Sequence, residues 1–570
     1  MKRRAIVAGL LAVLALVTTA APATPAAPEG NAVERQVDAL FAPWSRPGTP
    51  GAVVEIIRDG KVVLSKGYGL ADVEHDVPMT PATVLTVGSM SKQFTAFAIQ
   101  LLAQDGKLTL DDDIRTWVPE VPDFGTRITI RHLLHHTSGL RDYFILLLLT
   151  GWHGEDVVTQ EDGLALVARQ RALNFVPGAE HAYSNTGYLL LGLIVERASG
   201  KALADFARER IFVPLGMAHT RFLHGYGTLV PGRALSYIGS AGDGYRYVNL
   251  ADSADGAGGL VTTAGDLALW DRNFYDGRVG GMALVARMQA VGVLNDGKPI
   301  DYASGLLIDD HQDRRMVWHS GSGGGFQSML ARFPDQHLSV AVLANAADVD
   351  VWQASVQIAD LVLDGKPVTP PAPPAARQVF TEIAVDPASL DALTGTFAVS
   401  PQYAITFTRE DGRLMAQGTG QMKIPAYAYG ERAFFARAVD VQFTFDAPGK
   451  DGVVTGGVLH QNGVDTPARR VVRPVRPAAD LRKYTGLYYS DELGVVYTVT
   501  ARGGALALAY PRGTALLEVD ASGETANGFP FGQIRYQCGA RADCSGFTVS
   551  TERVRNLQFT RIAVAASGAR

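Results

Sequence analysis

The stretch GKPVTPPAPPAARQ, residues 365–378, limits what this chain can fold into more than any other part. Proline fixes φ and removes a backbone donor, so such a run joins neither a helix nor a sheet ladder. It predicts an extended spacer over 366–378. A weaker break, RRVVRPVRPAAD, follows at 469–480. The two breaks leave a large front part, 35–365, and two small parts, 379–473 and 479–563. Proline breaks of this kind mark separable domains, so a cut near 370 is expected to leave a soluble front part.

The first residues read as a targeting signal rather than as fold. MKRR gives a basic start, AIVAGLLAVLALV an apolar core, and TTAAPA small residues for cleavage, so 1–23 is expected to be a signal peptide and the mature protein periplasmic or secreted. YFILLLLTGW (143–152) is too short for a span and is expected to be a buried helix or a pocket wall, so stable membrane insertion is not expected. Net charge is −5 with no basic tract, which excludes nucleic acid as a partner. The two cysteines, Cys538 and Cys544, flank GARAD, a hairpin tip. Export permits a disulfide there, and two lone cysteines do not make a metal site.

The front part mixes two periods. GAVVEIIRDGKVVLSKGYGL is strand, Asp59-Gly60 turn, strand. SKQFTAFAIQLLAQDG carries Phe94, Phe97, Ala98, Leu101 and Leu102 at helical spacing and stops at Gly106. TGYLLLGLIVERASG is a second apolar helix. Strands return after 300, in ASGLLID, RMVWHSGS, FQSMLARFP and LSVAVLANA, and WQASVQIADLVLDG closes the unit as a helix. One antiparallel sheet built from both ends, flanked by helices and carrying a helical insert, is the expected fold, giving a multidomain α+β protein. The two small parts share a frame of Leu, Gly-x-Phe/Tyr, strand, turn and strand, a diverged repeat expected to form two antiparallel β-barrels.

Three short motifs could carry chemistry. In TVGSMSKQF, Ser89 and Lys92 lie three residues apart, on one face of a helix start, where free N–H groups favour developing negative charge. Serine is a weak nucleophile until a neighbour takes its proton, although a serine at a helix start is also an ordinary cap. Tyr183-Ser184-Asn185 stands just before the second apolar helix. A tyrosine can act as general base if cations lower its pKa, and an asparagine can bond a substrate amide. His319-Ser320-Gly321 ends a strand, where small residues let a substrate backbone lie alongside and Ser322 offers a second oxyanion N–H.

In that order, Ser89-x-x-Lys92, Tyr183-x-Asn185 and His319-x-Gly321 resemble the three motifs of the serine β-lactamase and penicillin-binding protein superfamily. TIRHLLHHTSGL (129–140), LGMAHTRF (215–222) and GAGGLVTTAGDLALW (256–270) are similar to structural segments of that family. The layout with two barrels resembles bacterial D-aminopeptidases. The resemblance implies a β-lactamase-like fold over 35–365, with no cofactor and a small-molecule or peptide substrate. It implies Ser89 as acylated nucleophile, Lys92 and Tyr183 as proton carriers, Asn185 as amide ligand, and the N–H groups of Ser89 and Ser322 as oxyanion hole. His319 departs from the lysine usual in β-lactamases. A neutral histidine attracts a carboxylate less, so a D-aminopeptidase or an esterase is expected rather than a β-lactamase or a D-Ala-D-Ala carboxypeptidase, with a non-catalytic sensor as another reading. A loop of the last barrel, 527–544, is expected to reach the site.

Other candidates are weaker. Tyr247-Val248-Asn249 repeats the second motif without a following helix. His132, His135 and His136 mimic a zinc site but lack an accompanying acid, so no metal is expected. HSGSGGGF has no following Lys-Ser/Thr for a phosphate loop, and LTLDDDI (108–114) reads as a solvated turn.

Overall fold

The computed structural model describes residues 29–563, except 153–155, 226, 241–243, 249–255, 372–379, 401–402, 419–422, 438–440, 462–463, 472–480, 503–504, 512, 520–524, 529–531 and 540–542. The expected signal, the heart of the proline spacer and Asn249 lie outside the described residues. Among those described, no helix is long and apolar enough to cross a membrane.

The front part is built on a six-stranded antiparallel sheet. Its order is Leu307–His311, Arg314–Gly323, Phe326–Phe333, Leu338–Ala344, Ala52–Arg58 and Lys61–Tyr68. Strands from the two chain ends meet in the middle, with Ala52 opposite Ala344 and Arg58 opposite Leu338. The first hairpin turns at Asp59 and Gly60, both at positive φ (53° and 70°), as its Asp-Gly signal requires. In the central strands both faces are buried, so their side chains alternate between two cores rather than between core and solvent. Val54, Ile56, Val340 and Val342 pack with Val37, Phe41 and Ile358 of the terminal helices Glu29–Phe41 and Val351–Asp364. Val53, Ala341 and Leu343 face the helical insert, which includes Lys92–Gln104 and Asn185–Ser199.

Each small part closes into an eight-stranded barrel. The first closes by pairing Phe397 with Arg470, the second by pairing Leu487 with Ile562. The structure explains the repeated Gly-x-Phe/Tyr. Gly395 and Gly486 have φ of 138° and 148°, and a Cβ on either would run into a guanidinium, that of Arg470 or of Arg561. The arginine of each closing strand thus lies over the glycine of the opening one, and only glycine leaves the space. Cys538 and Cys544 are disulfide-bonded across the strand pair Gly532–Cys538 and Cys544–Ser550.

The two barrels differ in where their cores end. The first has its own apolar cluster, with Phe397, Phe407, Phe443 and Phe445 at its centre. The core of the second, with Tyr488, Tyr497, Phe547 and Phe559, is continuous with that of the front part. The apolar core thus runs past the spacer: proline marks a break in the backbone and says nothing of side-chain packing across it. The joint is also polar. Arg141, 1% exposed, meets Glu492 at 2.5 Å and donates to the Arg555 carbonyl at 2.9 Å. The Tyr497 hydroxyl donates to the carbonyl of Leu149, on the helix Tyr143–Thr150. That helix is YFILLLLT: it is buried, as expected, and Tyr143 and Phe144 also line the main cleft.

Candidate active site

Ser89 lies in a short 3₁₀ turn, Gly88–Ser91, and Lys92 opens the helix Lys92–Gln104. The strand Arg314–Gly323 runs against this turn so closely that side chains are excluded. A Cβ on Gly321 would stand 2.0 Å from the Val87 carbonyl oxygen and 2.8 Å from the Ser89 nitrogen. A Cβ on Gly88, whose φ is +50°, would stand 2.8 Å from the Ser322 nitrogen. Glycine at 88 and 321 therefore brings the backbone of Ser322 beside that of Ser89. The N-cap of the helix Lys92–Gln104 is Ser91 rather than Ser89. Ser89 Oγ accepts a hydrogen bond from Lys92 Nζ at 3.0 Å, and Ser89 lies near enough to Tyr183 to lower the pKa of that phenol.

Lys92 is fully buried and has an acceptor for each of its three protons. Besides Ser89 it donates to Asn185 Oδ1 at 2.9 Å and to the Ala257 carbonyl at 2.7 Å. Asn185 is held in the matching orientation by Asp142, whose Oδ2 accepts from the Asn185 backbone N–H at 2.7 Å and from its Nδ2 at 3.2 Å. The other oxygen of Asp142 caps the helix Tyr143–Thr150. One buried carboxylate thus fixes the amide whose oxygen positions the lysine.

Tyr183 leaves its loop just before the helix Asn185–Ser199, and its ring centroid is 5.0 Å from Lys92 Nζ. Burial raises its phenol pKa above the usual range, against the lowering effects of Ser89 and of the Arg553 charge. His319 is buried beside it. Its Nδ1 is 2.5 Å from the Ser320 carbonyl oxygen, so Nδ1 carries the proton, and Nε2 accepts from the Tyr302 hydroxyl at 3.0 Å. Desolvation, then the charge of Lys92, depress its pKa to about 3. The third motif therefore supplies a neutral ring and no cation. Under Tyr183 lies His136, its ring 4.3 Å away, with Nδ1 accepting from the Ser184 N–H at 3.1 Å.

The three motifs meet in one cleft of about 1000 Å³, lined among others by Ser89, Tyr183, Asn185, His319, Gly321 and Ser322. His132 closes a capping box with Thr129, Asp113 caps the helix Ile114–Trp117, and Asp111 pairs with Arg131. Tyr247 lies on the exposed hairpin strand Gly244–Tyr247. A loop of the last barrel does reach the cleft; of the expected 527–544, residues 529–531 and 540–542 lie outside the described residues, and none of those described lines the cleft. Arg553, on the turn 551–556, lines it, with its guanidinium carbon 5.0 Å from the Tyr183 centroid. No local motif announces Arg553, Asp142 or Tyr302; His136 was visible only as part of HLLHHTSGL.

Ser89, Lys92, Tyr183 and Asn185 thus stand together in one cleft, beside the backbone of Ser322. The comparisons agree. The Beta-lactamase family profile matches residues 31–362, and the chain belongs to that family. It is a serine hydrolase of the β-lactamase and penicillin-binding protein superfamily. It is 29% identical over 426 residues to penicillin-binding protein 4* of Bacillus subtilis, covering 72% of this chain and 93% of that one. It is 26% identical over 464 residues to a D-aminopeptidase of Brucella melitensis, covering 80% and 82%. Among solved structures it is similar to EstCE1, a hydrolase with promiscuous acyltransferase activity (TM-score 0.50, 26% identity, 58% of this chain and 99% of that one). It shares its fold with the octameric penicillin-binding protein homologue of Pyrococcus abyssi (TM-score 0.50, 22% identity, 85% and 98%).

Proposed function

We propose that this chain is an exported serine hydrolase that cleaves a small amide, peptide or ester through an acyl enzyme on Ser89. The supporting observation is that Ser89 Oγ accepts from Lys92 Nζ, with Tyr183 beside the same amine in the same cleft, in a turn whose backbone abuts Ser322. Ser89 Oγ attacks the substrate carbonyl carbon, and the oxyanion takes hydrogen bonds from the N–H groups of Ser89 and Ser322. The serine proton passes to the Lys92–Tyr183 pair and from there to the leaving group. Water then attacks the acyl ester, gives up a proton to the same pair, and Ser89 recovers one on release of the acid. Because Lys92 donates three bonds and the Tyr183 phenol is held protonated by burial, one of them must first lose a proton. Turnover is expected to rise on the alkaline side of neutrality. Asn185, oriented by Asp142, is placed to bond a substrate amide. The named activities of the relatives, D-aminopeptidase and promiscuous acyltransferring hydrolase, fit a short acyl donor.

The test is intact-mass spectrometry after a fluorophosphonate, with rates on a panel of chromogenic esters and amides. One adduct on Ser89 is expected, with both label and turnover lost in Ser89→Ala by several orders of magnitude. An adduct on another serine, or an active Ser89→Ala protein, overturns the assignment. Stoichiometric labelling without turnover would turn the reading toward a sensor.

A further inference from the structure

The cleft has lost the cation expected at its third motif, yet it is not without one. Arg553 comes from the last barrel, on the turn between strands Cys544–Ser550 and Leu557–Ile562. Among the described residues, no hydrogen bond or ion pair engages its guanidinium. Everything around it instead fixes its backbone. Its carbonyl accepts from Asn174 Nδ2 at 2.9 Å and from the Asp142 N–H at 3.3 Å. Within the turn, Thr551 N–H donates to the Val554 carbonyl at 2.7 Å, and Thr551 Oγ1 accepts from the N–H groups of Arg553 and Val554. On the far side, the Arg555 N–H donates to Asn174 Oδ1 at 2.8 Å, and its carbonyl accepts from Arg141. Val554 is fully buried. A turn pinned at both ends and through its middle presents one long cationic side chain over Tyr183. That geometry pre-organises a charge before any ligand arrives, which removes much of the ordering cost of binding an anion.

The position says which part of a substrate it would meet. Tyr183 shares the cleft with Ser89, stands over Lys92 and is a member of the pair that hands a proton to the departing atom, so the side of the cleft beyond its ring receives the leaving group. We propose that Arg553 is the anchor for a free carboxylate carried on the leaving-group side of the substrate. It is a specificity-determining residue, reached across a domain joint, and it takes over the attraction that neutral His319 does not provide. This rests on the acyl-Ser89 reading and narrows it: the preferred substrates carry an anionic leaving group, and a free amine at that end is disfavoured. Arg233 also lines the cleft. It is not placed over Tyr183, and its charge does not act on that phenol as that of Arg553 does.

The experiment compares two thioesters of one acyl group, N-acetyl-D-alanine, differing only in whether the leaving thiol is thioglycolate (anionic) or thioglycolamide (neutral). The full chain is used, as wild type, Arg553→Gln, Arg553→Lys and Arg233→Gln. Wild type is expected to favour the anionic thioester. Arg553→Gln should lose roughly 10- to 100-fold in kcat/KM on it, the span of a charge-assisted hydrogen bond, mostly through KM. The neutral thioester should lose far less, Arg553→Lys should regain part of the preference, and Arg233→Gln should leave the ratio of the two rates in place. Equal losses on both thioesters would make Arg553 a support for Tyr183 and overturn the anchor, as would an unchanged ratio in Arg553→Gln or a ratio that moves only with Arg233→Gln. Fluorophosphonate labelling of each variant separates the two readings. If Ser89 labels normally while the ratio does not move, the anchor alone falls. If Ser89 of the wild type takes no label, the acyl-serine reading falls and the anchor with it.

Discussion

The two barrels are copies of one design put to different uses. Both close eight strands, and both set the arginine of the last strand over the glycine of the first, at Arg470 on Gly395 and Arg561 on Gly486. The first keeps its phenylalanine core to itself and meets the front part at the hairpin of Tyr237–Ser240 and Gly244–Tyr247, around a cavity of about 990 Å³. The second shares a core with the front part, locks to it through Arg141 and Glu492, and sends Arg553 into the cleft. A repeat therefore diverges at its surface and loops before it diverges in its frame. The closing device is needed by any such barrel, whereas docking is decided by a few side chains outside it.

The sharpest way to break this comparison is to remove the last barrel. Ending the chain at about 476 strips the cover from the helix Tyr143–Thr150 and opens the core that holds Tyr488, Tyr497 and Phe559. The shortened protein should be largely insoluble, or should melt without a cooperative transition, because a large apolar face is put into water. A soluble truncated chain that melts at the temperature of the full protein would show the two cores to be independent after all.

A smaller change tests the joint alone. Glu492→Ala leaves the Arg141 guanidinium buried without its carboxylate, which typically costs about 3–5 kcal/mol. The loss should appear in the transition shared by the front part and the last barrel, and hydrolysis should weaken with it, since Arg141 also holds the Arg555 carbonyl beside Arg553. The control is Phe443→Ala in the first barrel, a cavity mutation also worth about 3–5 kcal/mol. It should lower the stability of that barrel only and leave turnover unchanged. The comparison fails if calorimetry finds one transition that both variants lower alike.

These contrasts also explain what was legible in the sequence. The three motifs could be read because each is contiguous and stands where an element begins or ends: Ser89 before a helix, Asn185 opening one, His319 near the end of a strand. The sheet was legible because its first hairpin has an Asp-Gly turn and its strands return as apolar runs after 300. Arg553 was not legible, because it belongs to no local pattern; its meaning comes from a fold that carries the last barrel back across the front part. Asp142 was hidden in the same way, since it looks like an ordinary helix cap until Asn185 is placed beside it. The joint did leave a trace. YFILLLLT is apolar all round, and such a helix needs cover on every side. The front part covers one side and the last barrel the other.

The gentlest probe is acid. His135 and His319 are buried and neutral, with pKa values depressed by desolvation to about 4 and about 3. Arg131 and His132 add to the effect at His135, and Lys92 at His319. His136 is pushed down as well, by burial first and then by Lys92. In the unfolded chain each would titrate near about 6.5. Between the folded and unfolded values the unfolded chain binds protons that the folded one refuses. The stability these groups contribute is thus complete above about pH 6.5 and drains away as the pH falls. At pH 5.5 the loss approaches about 1.4 kcal/mol for each, or about 3 kcal/mol for His135 and His319 together. Burial raises the carboxyl pKa of Glu55 and Glu492, which acts with the opposite sign and offsets part of this loss. All of these groups lie in the front part or the last barrel. In the first barrel His460 is half-exposed and lies beside Asp465, and no histidine is buried in its core. Calorimetry at pH 7.5 and 5.5 should show the shared transition moving down while that of the first barrel stays in place. His135→Asn, which keeps a polar side chain but cannot take up the proton, should flatten the shift by about half of that 3 kcal/mol. If the first barrel moves as far as the rest, or if His135→Asn leaves the pH slope intact, the difference drawn between the two barrels is not one of cores and buried charge.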